Sequence, residues 1–258
     1  MRAGRAQALR MSHALSPILW TTLVFVLAGG VKGVTGMGLP TVAIGLLGLL
    51  MTPGQAAALL VVPSLITNVW QFVAGPHRLR ILRRMWLMLT AIVIATWATA
   101  GLIANSNGSD ARTALGIALI VYAVIGLVRM RLSVPLWLEP WLSPVIGAVT
   151  GAITGATGVF VIPAVPYLQA LGLDKEDLVQ ALVLSFTAST LALASGLASH
   201  AAFPMAAAGV SALYTAPALI GMFLGQWVRL QVDPATFRLV FFIGLLVLGA
   251  DLALHSFL

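Results

Sequence analysis

The chain has 258 residues, of which 60% are hydrophobic and only 8% charged, and its mean hydropathy is +1.04. A soluble domain of this length needs far more polar surface, so the composition predicts an integral membrane protein with no sizeable soluble domain. The net charge of +7 does not indicate nucleic acid as a partner, because the arginines fall in short loops, where Lys and Arg record topology. The chain has no cysteine, which excludes disulfides, thiolate metal sites and thiol catalysis.

Ten apolar segments follow in chain order, and they form two sets of five. The first set lies at about 15–33, 38–51, 55–75, 85–104 and 111–128, and the second at about 141–154, 158–171, 177–199, 205–228 and 236–257. We therefore predict an all-α polytopic membrane protein of two structural repeats. The predicted organisation is a tail at 1–14, a first repeat at 15–130, a connecting loop at 131–140 and a second repeat at 141–258.

A glycine- and threonine-rich break interrupts the first two segments of each repeat. Residues 29–40 read GGVKGVTGMGLP, and residues 147–163 read GAVTGAITGATGVFVIP. The segments flanking each break are too short for both to span, so we expect one broken helix or a re-entrant hairpin in each repeat. The matches between the repeats are Thr35-Gly36 with Thr154-Gly155, Pro40 with Pro163 and Gln55-Ala56 with Gln180-Ala181. Paired breaks of this kind point to a transporter's binding site, because irregular backbone at membrane depth is tolerated only where it is buried in protein or lines a wet cavity.

The basic loops exchange places between the two repeats. The loop 77–84 is strongly basic and its counterpart 200–204 carries no Lys or Arg, whereas the loop 105–110 lacks them and its counterpart carries Arg229 and Arg238. An inverted repeat predicts this exchange, with three crossings and a hairpin in each half and both termini outside. A parallel repeat with eight spans and both termini inside is the alternative, and the sequence leaves both open.

Lys32 lies inside the first break. An ionisable residue at membrane depth costs on the order of 3 kcal/mol and is a functional hypothesis by default. Its ammonium either snorkels from a helix end to the interface or supplies fixed positive charge to an anion site. The N-terminus of a half-helix at each break would also favour an anion. All carboxylates except Asp251 fall in loops, so we do not expect a cation site.

Ser64, Thr67, Asn68 and Gln71 follow the i, i+3, i+4, i+7 rule and share one helix face. This polar stripe either joins helices or lines a pathway, and Pro63 could free a carbonyl for the same cavity. The counterpart in the second repeat is less strictly on one face and consists of Ser185, Thr187, Ser189 and Thr190.

The predicted substrate site lies near the midplane between the two breaks. Its residues are Lys32, Gly33, Thr35, Gly36, Gly38, Asn68, Gln71, Thr154, Gly155, Thr157 and Gly158. Helix packing through small-xxx-small contacts is the alternative for Gly147, Gly151 and Gly155. Four scattered histidines provide no metal-binding spacing, and we expect no metal, no cofactor and no catalytic residues.

The break at Gly29–Pro40, the stretch PSLITNVWQ at Pro63–Gln71 with the basic loop after it, and the break at Gly147–Gly158 together resemble the sulfite exporter TauE/SafE family. The resemblance runs from about Trp20 to Leu252. It implies a secondary transporter of the bacterial inner membrane that exports a small anion, such as sulfite or an organosulfonate, by alternating access.

The expected partners are a small anionic substrate and the lipid bilayer, with homo-oligomerisation left open and nucleic acid excluded. The rival function is a membrane-embedded enzyme acting on a lipid-linked or phosphate substrate. It would need acids, bases or nucleophiles at membrane depth, where only Lys32, Asp251 and hydroxyl groups are candidates.

Overall fold

The computed structural model describes residues 2–106, 108–128, 132–203 and 205–254, and within these ranges the regular structure is entirely helical. Seven of the described helical stretches are long and apolar enough to cross a membrane, as expected for an all-α multi-pass membrane protein. The helices are α1 (Arg2–Thr35), α2 (Leu39–Gly48), α3 (Pro53–Ala74), α4 (Arg78–Asn105), α5 (Gly108–Val128), α6 (Glu139–Thr157), α7 (Ala164–Ala170), α8 (Lys175–Ser199), α9 (Met205–Leu213), α10 (Thr215–Val228) and α11 (Pro234–Leu254). The first helix begins at Arg2, so the segment expected to be a tail is helical in its described part.

Three helices form one parallel bundle, which we call bundle A: α4, α6 and α8. Gly147 lies against Met88, and Gly155 lies against Ala100, so α6 and α4 advance in the same direction. The contact of Gly196 with Ala100, together with the ion pairs described below, gives α8 the same direction. We call the end at which α4 begins the basic end, and the end at which α4 finishes the opposite end.

Bundle B consists of α1, α3, α9 and α10, which run towards the basic end. Gly29 lies against Ala218 and Gly33 against Met222, so α1 and α10 are parallel. The α3 helix reverses into α4 through the short turn 75–77 and is therefore antiparallel to α4. The two bundles meet where α3 packs against α8.

Glycines allow the helices within each bundle to pack backbone against backbone. A Cβ atom added at Gly29 or Gly33 would overlap the main chain of α10, and one added at Gly151 or Gly155 would overlap the main chain of α4. Close contact between small residues is the main source of helix association in membranes, where the hydrophobic effect does not drive helices together. The packing interpretation of the glycines in the second break therefore holds for Gly147, Gly151 and Gly155.

Ion pairs fasten bundle A at the basic end. Arg84 donates two hydrogen bonds of 2.7 Å to the carboxylate of Glu139 on α6. On α8, Asp177 accepts from Arg80 and lies 2.9 Å from Nδ1 of His77. The stretch 77–84, expected to be a basic loop, is instead the N-cap and first two turns of α4, and part of it holds helices together.

Outside the two bundles, α5 and α11 form an antiparallel pair with α2 beside it. Gly116 lies against Gly249, whereas Arg238, near the start of α11, donates a hydrogen bond of 2.8 Å to the Gly126 carbonyl, near the end of α5. The α2 helix contacts both of them through Gly45 and Gly48 and runs away from the basic end. The first two helices thus form a hairpin whose tip points towards the basic end.

Candidate functional site

The tip of the α1–α2 hairpin is a turn built on one threonine and two glycines. Thr35 Oγ1 donates to the Val31 carbonyl at 2.8 Å and accepts from the Met37 N–H at 3.2 Å. Gly36 and Gly38 have φ values of 78° and 100°, a region that other residues adopt only with strain. Thr35, Gly36 and Gly38 therefore serve the backbone turn itself.

The tip between α6 and α7 has the same construction. Thr157 Oγ1 donates to the Ile153 carbonyl at 2.7 Å and accepts from the Val159 N–H at 3.2 Å, and Gly158 has a φ of 75°. In hydrogen bonding, Thr157-Gly158 is thus the counterpart of Thr35-Gly36, three residues beyond the match made from the sequence. On this register Thr154, which donates to the Thr150 and Val159 carbonyls, corresponds to Lys32.

The two tips point towards opposite ends of the molecule. Gly36 faces Val179, in the first two turns of α8 at the basic end, whereas Gly158 lies against Ile44 of α2 and faces Ile103, in the last turn of α4. Among the described residues, no hydrogen bond joins the predicted residues of one break to those of the other. They form a group around Lys32 and a group around Thr154.

Lys32 is buried against α3. Only 2% of the residue is exposed, and Nζ donates to Thr67 Oγ1 at 3.0 Å and to Asn68 Oδ1. In the part of the chain that the structure describes, no carboxylate acts on this ammonium group. The structure thus places Lys32 beside Asn68 and Thr67, which share the polar face of α3.

The geometry argues against the snorkelling interpretation of Lys32. A snorkelling lysine extends its ammonium group into water at the interface. Here the ammonium group turns inward and is held by two neutral oxygen atoms. Lys32 is therefore a buried ionisable group with only neutral hydrogen-bond partners among the described residues, and such a group at membrane depth is by default a hypothesis for function.

Several buried polar atoms are carried by two helices, α3 and α8. Each has no hydrogen-bond partner within the described structure, and six of them are on α3 and α8: Ser64 Oγ, Asn68 Nδ2, Gln71 Oε1, Gln180 Oε1, Ser185 Oγ and Ser189 Oγ. An unpaired polar group of this kind costs about 1–3 kcal/mol. We call these six side chains the α3–α8 seam.

Pro63 frees the carbonyl of Leu59 in α3, as expected of a proline inside a helix. That carbonyl does not face the seam, because it accepts a hydrogen bond of 2.7 Å from Ser211 on α9. Ser211 also accepts from the Val62 N–H at 3.1 Å. The proline therefore joins α3 to α9 within bundle B.

A cavity of about 890 Å³ opens beside the first tip, at the basic end. Thr35 lines it, together with three cationic side chains, Lys175, Arg229 and Arg238. The part of the first tip from Val34 to Met37 is accordingly only half-buried, whereas in the second tip the equivalents of Thr35, Gly36 and Met37, which are Thr157, Gly158 and Val159, are buried. The two tips thus share a turn and differ in access.

The remaining predicted residues have structural roles. Gly33 and Gly155 are helix contacts, and the Gln71 carbonyl accepts a hydrogen bond of 3.4 Å from Gln180 Nε2. Sequence reasoning left Gln180 out of the site, although its match with Gln55 was noted. Ser185 and Ser189 were seen as polar, but only the packing of α8 shows that their hydroxyl groups are buried without partners.

Comparison with known proteins identifies one family. Its model, described as Sulfite exporter TauE/SafE, matches residues 21–252. No curated protein and no solved structure matches the chain.

Proposed function

Because the chain belongs to the sulfite exporter TauE/SafE family, we propose that it exports a small sulfur oxyanion, such as sulfite or a sulfonate, across the bacterial inner membrane by alternating access. The family is one of membrane transporters, so the enzyme alternative is not retained. The observation that carries the proposal is Lys32, a buried ammonium group held only by neutral side chains. Fixed positive charge in a dry site attracts an anion far more strongly than the same charge in water.

We propose further that the two halves are inverted repeats. A two-fold axis in the membrane plane makes equivalent helices antiparallel, whereas an axis along the membrane normal makes them parallel. The antiparallel pairs α5–α11 and α3–α8 support inversion. So does the equivalence of the α1–α10 and α6–α4 contacts, in which Gly29 and Gly33 on α1 take the places of Gly151 and Gly155 on α6.

The basic end would face the cytoplasm under the positive-inside rule. The cavity there then represents the cytoplasmic entrance, with Lys175, Arg229 and Arg238 attracting anions towards Thr35 and Lys32. The buried second tip represents the closed periplasmic side. Export would proceed as the two bundles rock against each other at the α3–α8 contact, which closes the first tip and opens the second.

The proposal can be tested with purified protein in proteoliposomes. Radiolabelled sulfite should leave loaded vesicles in a saturable manner, at least tenfold faster than from empty-lipid controls, and unlabelled sulfite or small sulfonates should compete. If sulfite, sulfate and small sulfonates all fail to move above the control rate, the proposed function is wrong.

Alternating access has its own test because the chain contains no cysteine. Thr35→Cys and Thr157→Cys variants place single thiols on the two tips. A maleimide should label Thr35→Cys readily from the basic end and Thr157→Cys slowly from either end, since Thr157 is only 6% exposed. Saturating anion should move both rates in opposite directions. Parallel changes at the two tips would contradict alternating access.

A further inference from the structure

The first two turns of α11 present a cationic and aromatic face to the cavity beside the first tip. The residues of this face that line the cavity are Pro234, Phe237, Arg238, Phe241 and Phe242. Their spacing is i, i+3, i+4, i+7 and i+8, which places them along one side of a helix. One wall of the cavity is therefore a continuous helix face with a guanidinium group among phenyl rings.

The phenyl rings are directed inward and not at lipid. Leu239 and Val240, on the other side of the same turns, are exposed, whereas Phe237 and Phe241 are half-buried. These two rings stack at a centroid distance of 6.5 Å, and Phe241 also lies against Gly38 in the first tip. Farther along α11, helix contacts with α2 and α5 cover the inward face. Its first two turns border an open space instead.

Three cations line the same cavity. Lys175 and Arg229 form no ion pair within the described ranges, and none of the described lining residues is acidic. Arg238 donates one hydrogen bond to the Gly126 carbonyl, which leaves most of its five N–H donors for a ligand. The basic side chains that fasten bundle A at this end are, by contrast, paired with carboxylates. The cavity thus gathers positive charge that its own lining does not neutralise.

The cavity is far larger than a sulfur oxyanion needs. Its volume is about 890 Å³, within the range of about 300–1,000 Å³ that is typical of sites for organic ligands. A water molecule takes about 30 Å³ in the liquid, and a sulfite ion is only a few times larger. The phenyl rings also offer such an ion no hydrogen bond. Size and wall chemistry therefore fit a ligand that has an apolar body as well as a negative charge.

A ligand in this cavity would touch the first tip. Thr35 and Met37 belong to the tip and line the cavity. Gly38 lies against Phe241, so the tip and the α11 face are in contact. Because alternating access requires the first tip to close, an occupant of the cavity would oppose that movement.

We propose that the cavity is a binding site for an amphipathic organic anion, and that its occupation inhibits export. The anionic group contacts Arg238, Arg229 and Lys175, and the apolar body packs on Phe237 and Phe241. Such an anion is either dissolved in the cytoplasm or a lipid of the inner leaflet with an anionic head group, since both have this chemistry. The inhibition rests on the proposed function, whereas the binding does not.

Three probes separate the requirements of the site: 2-naphthoate, acetate and 2-naphthamide. The first has both an apolar body and a negative charge, the second lacks the body and the third lacks the charge. Their binding is measured by titration calorimetry with the protein in phosphatidylcholine nanodiscs, and empty nanodiscs give the correction. 2-Naphthoate should bind about tenfold or more tightly than either of the others, because burying an aromatic group and bonding to a charged group are each worth about 10–100-fold.

The phenyl wall has a matched control elsewhere in the chain. Phe237→Ala should weaken binding of 2-naphthoate about fivefold or more, which is the contribution of an aromatic pair. Phe223→Ala removes an exposed ring of α10 that does not line the cavity, and it should leave binding unchanged.

The positive charge has a matched control as well. Arg229→Gln should weaken 2-naphthoate about two- to fivefold, as expected for an exposed charge. Arg83→Gln removes an exposed charge at the same end but outside the cavity, and it should have no effect. Because Arg229 is exposed, this variant tests the site even if Phe237→Ala is unstable.

Native mass spectrometry separates the two sources of the anion. Wild-type protein taken from bilayers that contain phosphatidylglycerol retains this lipid if the occupant is a lipid, and Phe237→Ala then loses it. A wild type that retains none identifies the occupant as a dissolved anion.

Transport provides the test of inhibition. In proteoliposomes, 2-naphthoate added at the basic end should inhibit sulfite efflux with a half-maximal effect near its dissociation constant, and Phe237→Ala should require about fivefold more. Equal binding of the three probes, or equal binding of 2-naphthoate by each variant and its control, would overturn the inference and leave the proposed function intact. Binding without any sulfite flux in the wild type would overturn the proposed function and the inhibition, while the binding site would stand.

Discussion

Replacing Lys32 with methionine should separate transport from stability. Methionine retains most of the apolar length of lysine and removes the charge, so the buried stem still fills its place between α1 and α3. An ammonium group and a monovalent anion about 4 Å apart attract each other by about 4 kcal/mol at an effective dielectric constant near 20. At 1.4 kcal/mol per tenfold change, kcat/KM for the anion should fall about 1,000-fold.

The fold should tolerate the same substitution. Burying lysine at membrane depth costs roughly 2.5–3.5 kcal/mol on insertion scales, and its hydrogen bonds to Thr67 and Asn68 return about 1.5–3 kcal/mol each. These contributions largely cancel, so the free energy of unfolding should change by less than about 3 kcal/mol. At about 2–4 °C per kcal/mol for a chain of this size, Tm should move by no more than about 10 °C.

The assay combines anion efflux from proteoliposomes with thermal unfolding of the detergent-solubilised protein. Arg83→Met is the matched control, since it removes one positive charge from an exposed position at the basic end. Its transport should stay within about twofold of the wild type, as expected for an exposed charge. Transport by Lys32→Met at the wild-type rate would refute the assignment of Lys32 as the anion's positive charge.

Two further predictions concern packing and topology. Gly221→Val should lower stability by about 1–3 kcal/mol, because any Cβ there overlaps the Val26 carbonyl of α1, whereas Gly244→Ala, which meets no neighbour, should be neutral or stabilising. Equal Tm values for the two variants would argue against close α1–α10 packing. In the cysteine-free chain, exposed single thiols at Arg83→Cys and Ser109→Cys should react with an impermeant maleimide from opposite sides of the membrane, with the first reacting only from the cytoplasm. Labelling of Arg83→Cys from the periplasm would reverse the proposed orientation.

The sequence by itself determined that this is a polytopic membrane protein with two helix breaks. Apolar segments of membrane-spanning length and a near absence of charge permit few other folds, because backbone polar groups in lipid must be satisfied within helices. The glycines of the breaks could also be recognised in the sequence, because the backbone at Gly36 and Gly158 has a positive φ angle, which favours glycine locally. Lys32 and Asn68 were also members of one predicted site, although the sequence did not show that they touch.

Only the tertiary structure decided where these parts lie relative to one another. The sequence could not show that the two tips point to opposite ends, because each hairpin has the same local pattern whichever way its repeat is oriented. It also could not distinguish glycines that form turns from glycines that form contacts. Gly33 and Gly155 are small because α10 and α4 approach them, and that approach depends on helices more than 50 residues away along the chain.

The α3–α8 seam depends on tertiary structure in the same way. The sequence of an apolar helix does not show whether the hydroxyl group of a serine bonds to the preceding turn or is left without a partner. Burial and the absence of a partner distinguish Ser64 and Ser189 from Ser195, and both properties arise from packing between the two halves of the chain. The sign of the substrate's charge could be predicted from composition, whereas the donors and acceptors that would select among anions appear only when the helices are assembled.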